Sequence, residues 1–462
     1  MSSDTYKHLA LVIGPALGAL VAWMLVGQGL SMAIAITVLV TLWCIVWWVF
    51  EPVPIPVTSL LPLALLPLLG VLTPAEVGQA YGSPLILLLL GGFILSRAME
   101  HSGAHRRIAL SMVRLFGGDS DRRLVFGFMA AAAVLSMWIS NTATTLMLLP
   151  VAMAVIEQTR DDDNRLAQPL LLGVAYAASV GGIGTPIGTP PNLVFMQIYT
   201  ETTGEQISFS QWMGWAVPVV VLLLPIIGLW LTRGLTGGGG LQLPEVGKWH
   251  IAERRVMIVF GLTALAWVTR SEPFGGWSGW LNLPTANDAS VAMLAVVLMF
   301  LVPDGKGSRL LDWERAVTIP WGVLLLFAGG ICLAKAFVSS GLSVLLGDWL
   351  GSMAYLPLWL LIGLICLVVT FMTETTSNTA SATLLMPILA AAALAAGISP
   401  EVLMVPAAMT ASCAFMLPVA TAPNSVVYGS GRIAIERMAR EGFVLNLIAV
   451  VCIAGWCFWR LG

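Results

Sequence analysis

Ser140-Asn141-Thr142 and Ser377-Asn378-Thr379 each sit midway along an apolar segment. Where water is absent, an unpaired amide or hydroxyl costs roughly 2–7 kcal/mol. A chain that accepts this cost at two matched places is expected to bind something polar there. The triplets offer neutral hydroxyl and amide groups, with no base or thiolate, so their chemistry is recognition. Two further stretches, Gly181 to Asn192 and Leu417 to Asn424, carry glycines and prolines within apolar runs. Such residues break a helix and expose both carbonyls and amides. Exposed amides can hold an anion and exposed carbonyls a cation.

What is missing narrows the chemistry. The segments 136–144, 179–192, 373–381 and 417–424 contain no Lys, Arg or His. An anion bound there would meet only neutral donors and half-helix dipoles. Two unit charges about 6 Å apart at an effective dielectric of 20 interact by roughly 3 kcal/mol, so a nearby bound cation could supply what no side chain in these segments provides. Neutral oxygens without a carboxylate cage suit a monovalent ion better than calcium. The residues therefore point to sodium-coupled anion uptake, with a neutral polar solute left open. Glu374 is a carboxylate at membrane depth and a functional candidate on that ground. Its counterpart Met137 is apolar, so hairpin structure and coupling both remain open for it.

The elements that must position these residues are membrane helices. Hydrophobic residues make up 58% of 462 and charged residues 10%, against about 25% charged in soluble domains. The expected fold is an all-α polytopic membrane protein. Expected spans are 9–27, 32–50, 55–72, 83–100, 168–198, 211–233, 255–270, 288–303, 319–338, 401–430 and 438–460. Amphipathic pieces are expected at 101–117 and 341–353. Each triplet lies between apolar pieces (125–139 and 143–156; 359–372 and 380–396) too short for a span of roughly 20 residues, which predicts hairpins over 124–158 and 357–396. Ser, Asn and Thr at such a tip suit turns and helix N-caps. The first span is expected to remain as an anchor, since another apolar run follows the cleavage-like Ala33-Ile34-Ala35.

The chain repeats itself. Gly91-Gly92 and Ser102-Gly103 correspond to Gly329-Gly330 and Ser340-Gly341 at the same spacing, and Pro150 and Pro387 each lie ten residues after the triplet serine. Thr189-Pro190-Pro191-Asn192 corresponds to Thr421-Ala422-Pro423-Asn424. The division expected is a first span (1–31), repeat 1 (32–234), a cytoplasmic linker (235–253) containing Gly237 to Gly240, and repeat 2 (254–462). With the N-terminus inside, only Arg270, Lys335 and Arg460 of the 22 Lys and Arg fall outside. The same orientation places the hairpins on opposite faces, an inverted repeat with its C-terminus outside the cell's inner membrane.

Two Ser-Asn-Thr hairpins, each partnered by a Thr-x-Pro-Asn break, resemble the divalent-anion/sodium symporter family, the INDY-type dicarboxylate carriers. The resemblance runs from about residue 30 to the end. It implies eleven spans plus two hairpins, a homodimer, and an elevator movement of a transport body against a scaffold. By position it implies a first sodium site at Ser136, Ser140, Asn141 and the Gly188 carbonyl. It implies a second at Thr373, Thr376, Asn378 and the Ala420 carbonyl. Asn141, Thr142, Asn378 and Thr379 resemble the clamp on the two carboxylates of a C4-dicarboxylate, with Thr189, Pro190, Thr421 and Ala422 beside them. Ala422 departs from the proline usual in the family. Family exchangers tend to place a basic residue where sodium would sit; none is present here, which favours symport. Tricarboxylate, sulfate and exchange variants of the same site remain alternatives.

Plainer readings apply elsewhere. Ser and Thr in membrane helices often bond back to their own backbone, but duplication argues against that for the triplets. Cys44, Cys332, Cys366, Cys413, Cys452 and Cys457 read as packing residues. His8, His101, His105 and His250 form no metal set. Arg106, Arg107 and Arg114 are expected on the inner headgroups, and both Gly-Gly pairs at close helix contacts. An enzyme using Ser140 or Ser377 as nucleophile needs a His or Lys base, which the polar segments lack. A channel would not accumulate its solute uphill. The partners expected are a small dianionic carboxylate, the bilayer and a second copy, with sodium as coupling ion, no organic cofactor and no nucleic acid.

Overall fold

A computed structural model describes residues 3–116, 120–158, 165–235, 247–272, 274–345 and 356–462. Regular structure among them is helical, apart from an isolated bridge between Pro303 and Arg309. Seven of the described helices are long and apolar enough to cross a membrane: Lys7–Gly27, Met32–Phe50, Pro74–Ser102, Phe209–Leu231, Trp321–Ser340, Asn378–Ala395 and Ile435–Leu461. Shorter apolar helices, among them Ala167–Ile183 and Leu358–Thr373, lie between these. The chain is a multi-pass membrane protein.

Hydropathy alone misses a break and a short helix. The span expected over 55–72 divides at Ser59 into Ile55–Thr58 and Leu60–Leu68. The Ser59 hydroxyl donates to Ile55 O at 2.8 Å and accepts from Trp48 Nε1 at 3.2 Å, so a side chain occupies the turn. A short helix, Pro74–Tyr81, then forms behind a capping box in which Thr73 and Glu76 bond reciprocally. The Gly237 to Gly240 stretch lies outside the described residues, as do residues 346–353 of the second amphipathic piece.

The expectation for Arg107 is corrected. It is buried rather than spread on headgroups, because its guanidinium holds the inter-repeat connection. It donates to Glu253 Oε2 at 2.9 Å, Gly247 O at 2.5 Å and Lys248 O at 2.6 Å, and it packs over the Trp249 ring. The fork geometry of arginine matches this mixed set of acceptors.

Helix crossings bring the four polar stretches together. Asp121–Ser136 lies against Ala167–Ile183, where a Cβ on Gly181 would stand 2.4 Å from Ala133 O. Ala167–Ile183 is buried almost throughout, as a predominantly apolar helix in a core should be. The partners then cross over between the two parts of the chain. Pro190–Thr203 packs on Asn378–Ala395, and Ala422–Tyr428 packs on Asn141–Gln158. The helix that resumes after each break is thus held against the opposite hairpin. The Gly-Gly pairs do lie at close contacts: Gly91 faces Ala292 and Gly329 faces Ser59, while Gly92 faces Ile187 and Gly330 faces Thr383.

Candidate functional site

Each hairpin is two helical arms joined by a short non-helical tip. Asp121–Ser136 ends at Met137, and Asn141–Gln158 begins on the asparagine. Leu358–Thr373 and Asn378–Ala395 repeat this around Glu374 to Ser377. Both asparagines therefore open a new helix, where backbone amides lack intrahelical partners and the dipole favours negative charge.

The partner segments break in register. Ala167–Ile183 resumes as Pro190–Thr203 after Thr189, and Glu401–Thr410 resumes as Ala422–Tyr428 after Thr421. A break leaves carbonyls without donors, and one asparagine in each copy supplies them. Asn192 Nδ2 donates to Gly182 O (3.0 Å), Ile183 O (3.3 Å) and Thr185 O (2.7 Å). Asn424 Nδ2 donates to Ala414 O and Leu417 O, both at 3.0 Å. Carbonyls ten and seven residues back are taken in both copies. The carbonyls of Ile183 and Phe415 each accept from an aromatic donor, Trp212 Nε1 at 2.9 Å and Tyr176 Oη at 2.7 Å. Donors supplied to these carbonyls make irregular backbone tolerable at depth.

A cavity of about 720 Å³ opens where the four stretches meet. Of the residues singled out from sequence, Ser140, Asn141, Thr142, Gly188, Thr189, Pro190, Asn378, Thr379, Ala420, Thr421 and Ala422 line it. Ser136, Thr373 and Thr376 lie behind its wall. Ser136 Oγ donates to Asn141 Oδ1 at 2.5 Å, and Thr373 Oγ1 donates to Asn378 Oδ1 at 2.6 Å. Thr376 is turned back, donating to Met372 O at 2.9 Å and lying 2.6 Å from Ser381 Oγ. The first hairpin and break are pressed together: a Cβ on Gly182 would stand 2.7 Å from Asn141 Oδ1, and one on Gly188 2.5 Å from Gly182 O.

Asn141 is crowded by oxygens. Besides Ser136 Oγ, its amide oxygen faces the carbonyl oxygens of Ala178 and Gly188, each 3.3 Å away. Two arrangements satisfy the cluster: the amide turns over and donates to all three, or a cation sits among the oxygens. The second fits the donor set expected of a monovalent ion.

Other cavity residues escaped the motif reading. Arg97 and Glu100 line the mouth together with Phe93, Trp138 and Val419. The walls are thus not wholly free of cations: Arg97 pairs with Glu100 at 2.7 Å and donates to Thr318 O at 2.8 Å. A signal for Arg97 existed, because the register that matches Gly91 with Gly329 also matches Arg97 with Lys335. Lys335 lies in a separate cavity of about 330 Å³, 3.7 Å from Glu201 Oε2. Glu374 does not line the large cavity. Its carboxylate accepts from the backbone amides of Met416 (2.9 Å) and Leu417 (3.0 Å) and from Asn446 Nδ2 (2.7 Å).

Comparison with known proteins agrees with this architecture. The citrate-transporter family profile, CitMHS, matches residues 45–408. The sodium-dependent dicarboxylate transporter SdcS of Staphylococcus saprophyticus is 40% identical over 475 residues, covering 98% of this chain and 91% of that protein. SdcS of Staphylococcus aureus is 40% identical over 473 residues, covering 97% and 90%. Among solved structures, the Alcanivorax borkumensis YdaH transporter superposes with a TM-score of 0.60 at 16% identity, covering 85% of this chain and 88% of that one. Neisseria gonorrhoeae MtrF superposes with a TM-score of 0.60 at 14% identity, covering 84% of each. These two establish likeness of fold.

Proposed function

We propose, for a chain that belongs to the citrate-transporter family, sodium-coupled symport of C4-dicarboxylates such as succinate, malate and fumarate into the cell. The observation that carries this reading is the convergence of both Ser-Asn-Thr tips and both breaks on one cavity. Its volume lies within the range of small-molecule sites. In this reading Asn141, Thr142, Asn378 and Thr379 clamp the two carboxylates, with Thr189, Pro190, Thr421 and Ala422 beside them. Sodium is held by Ser136, Ser140, Asn141 and the Gly188 carbonyl, and by Thr373, Thr376, Asn378 and the Ala420 carbonyl. The gathering of Ser136, the Asn141 carboxamide and the Gly188 carbonyl supports the first ion site, and the Thr373–Asn378 contact supports the second.

The reading extends to movement and placement. The halves 32–234 and 254–462, joined by 235–253, form an inverted repeat in the plasma membrane with the N-terminus inside. Arg97 and Glu100 at the cavity mouth belong to the basic side of the chain, so the site faces inward. An elevator movement would carry hairpins and broken helices past Pro84–Ser102 and Trp321–Ser340, where Gly92 and Gly330 present little obstruction. A homodimer provides the fixed frame. The family description and the cavity's size favour a tricarboxylate as the second reading.

Labelled succinate uptake into proteoliposomes, with an inward sodium gradient and then with potassium replacing sodium, tests this. Concentrative uptake only with sodium is expected. Uptake that ignores sodium but requires internal dicarboxylate would make the protein an exchanger. Uptake of citrate in place of succinate would establish the second reading.

A further inference from the structure

We propose that Glu374 is a positioning residue for the second ion site: it fastens the second hairpin to the broken helix and so sets where the Ala420 carbonyl stands. This rests on the sodium-symport reading above. Glu374 lies between Thr373 and Thr376, yet it is buried and its carboxylate is engaged by backbone amides rather than turned to the cavity. Its two oxygens accept from Met416 N and Leu417 N, four and three residues before Ala420. Asn446, on the helix Ile435–Leu461, completes the clasp. It donates to Glu374 and accepts from Phe415 N at 3.1 Å. Three consecutive backbone amides, 415 to 417, are thereby held by one carboxylate and one carboxamide.

The first copy places a link at the same two positions with different chemistry. Matching Gly188 to Ala420 also matches Thr185 to Leu417, and Met137 corresponds to Glu374. There the Thr185 hydroxyl donates to the Met137 carbonyl. A hairpin-to-break link thus recurs at equivalent points of both copies, each three residues before the carbonyl read as an ion ligand. In the second copy the side chain comes from the hairpin and is charged. Hydrogen bonds to a carboxylate are shorter and about twice as strong as neutral ones, and no ion pair among the described residues includes Glu374. Its charge is met by amides alone and also favours a cation at the neighbouring site.

The test uses the full-length protein with Glu374→Gln, Glu374→Asp and Asn446→Leu. Glu374→Gln keeps the shape but turns an NH2 toward backbone N–H donors. Two readouts are taken: the sodium dependence of succinate uptake in proteoliposomes, and the sodium-induced rise in melting temperature of detergent-purified protein, with potassium as reference. In Glu374→Gln the half-saturating sodium concentration is expected to rise about tenfold, the ratio set by one charge-assisted hydrogen bond. The half-saturating succinate concentration at saturating sodium should stay within about twofold, the range of a lost weak contact. Asn446→Leu should shift sodium in the same direction by less, and Glu374→Asp should restore part of the loss. Reduced uptake with an unchanged sodium dependence would make Glu374 merely structural and overturn the inference. Should Glu374→Gln fail to fold, Asn446→Leu and Glu374→Asp decide by the same criterion. A wild-type protein that sodium does not stabilise would instead overturn the functional reading itself.

Discussion

In the first half of the chain, Met137 at the hairpin tip offers only its carbonyl, and Thr185 donates to it. In the second half, Glu374 at the equivalent tip accepts from two backbone amides and a carboxamide. The rest is closely alike. Each asparagine tip is gripped by a hydroxyl five residues earlier, Ser136 or Thr373. Each break is drawn together by Asn192 or Asn424. The two copies therefore keep the Ser-Asn-Thr tips that face the cavity and differ in the bond made behind the tip at Met137 or Glu374. Placing a backbone carbonyl requires that its loop be fixed, and a neutral hydroxyl or a carboxylate can both do it, with different strengths.

The strongest challenge to equivalent halves removes the tip asparagines. Asn141→Ala and Asn378→Ala should each lower uptake below about one hundredth of wild type, since each removes a polar group shared by ion and substrate and worth roughly 1.5–3 kcal/mol per charged contact. Both proteins should still fold and retain their oligomeric state by size-exclusion chromatography. Wild-type uptake by either variant would dissolve the site assignment on that side.

A sharper comparison separates substrate from ion. Thr142→Val and Thr379→Val keep the side-chain shape and delete one hydroxyl. Half-saturating succinate should rise about tenfold in both, the cost of a hydrogen bond to a carboxylate, with half-saturating sodium within about twofold. Equal shifts for ion and substrate would move these threonines into the ion sites.

Thr185→Val tests the fastenings directly. It removes the single neutral bond to Met137, so half-saturating sodium should rise about threefold, below the change expected for Glu374→Gln. An effect as large as that of the carboxylate would mean that the two links matter equally and that charge at position 374 serves another end.

Much of this was legible in the chain, because Ser-Asn-Thr, Gly and Pro disrupt helices locally and their repetition needs no partner to be seen. The non-helical tips and both breaks follow from such local signals. The fastenings do not. Tyr176 reaches Phe415 O across 239 positions, and Asn446 reaches Glu374 across 72; nothing near Tyr176 or Asn446 marks them as donors. The break at Ser59 is hidden by continuous hydropathy. The capping box at Thr73 and Glu76, by contrast, is a local signature that hydropathy outweighed. Arg107 reads as a surface cation until the connection it grips is known.

The smallest effect concerns the charges at the two cavities. Arg97 and Lys335 occupy matched positions, but only Arg97 lines the cavity that holds the tips. Its guanidinium is already paired with Glu100, and its side chain is 37% exposed. An exposed pair of this kind contributes about 0–1 kcal/mol, and a dianion at the mouth meets a nearly cancelled charge. Arg97→Gln is therefore expected to raise half-saturating succinate by only about twofold at low ionic strength. Added choline chloride should remove the difference, since screening at 0.15 M acts over about 8 Å. Lys335→Gln should leave succinate affinity measured from the mouth side unchanged. A tenfold loss in Arg97→Gln that persists at high salt would place Arg97 in direct contact with the substrate, and the asymmetry of the two halves would then reach the bound anion itself.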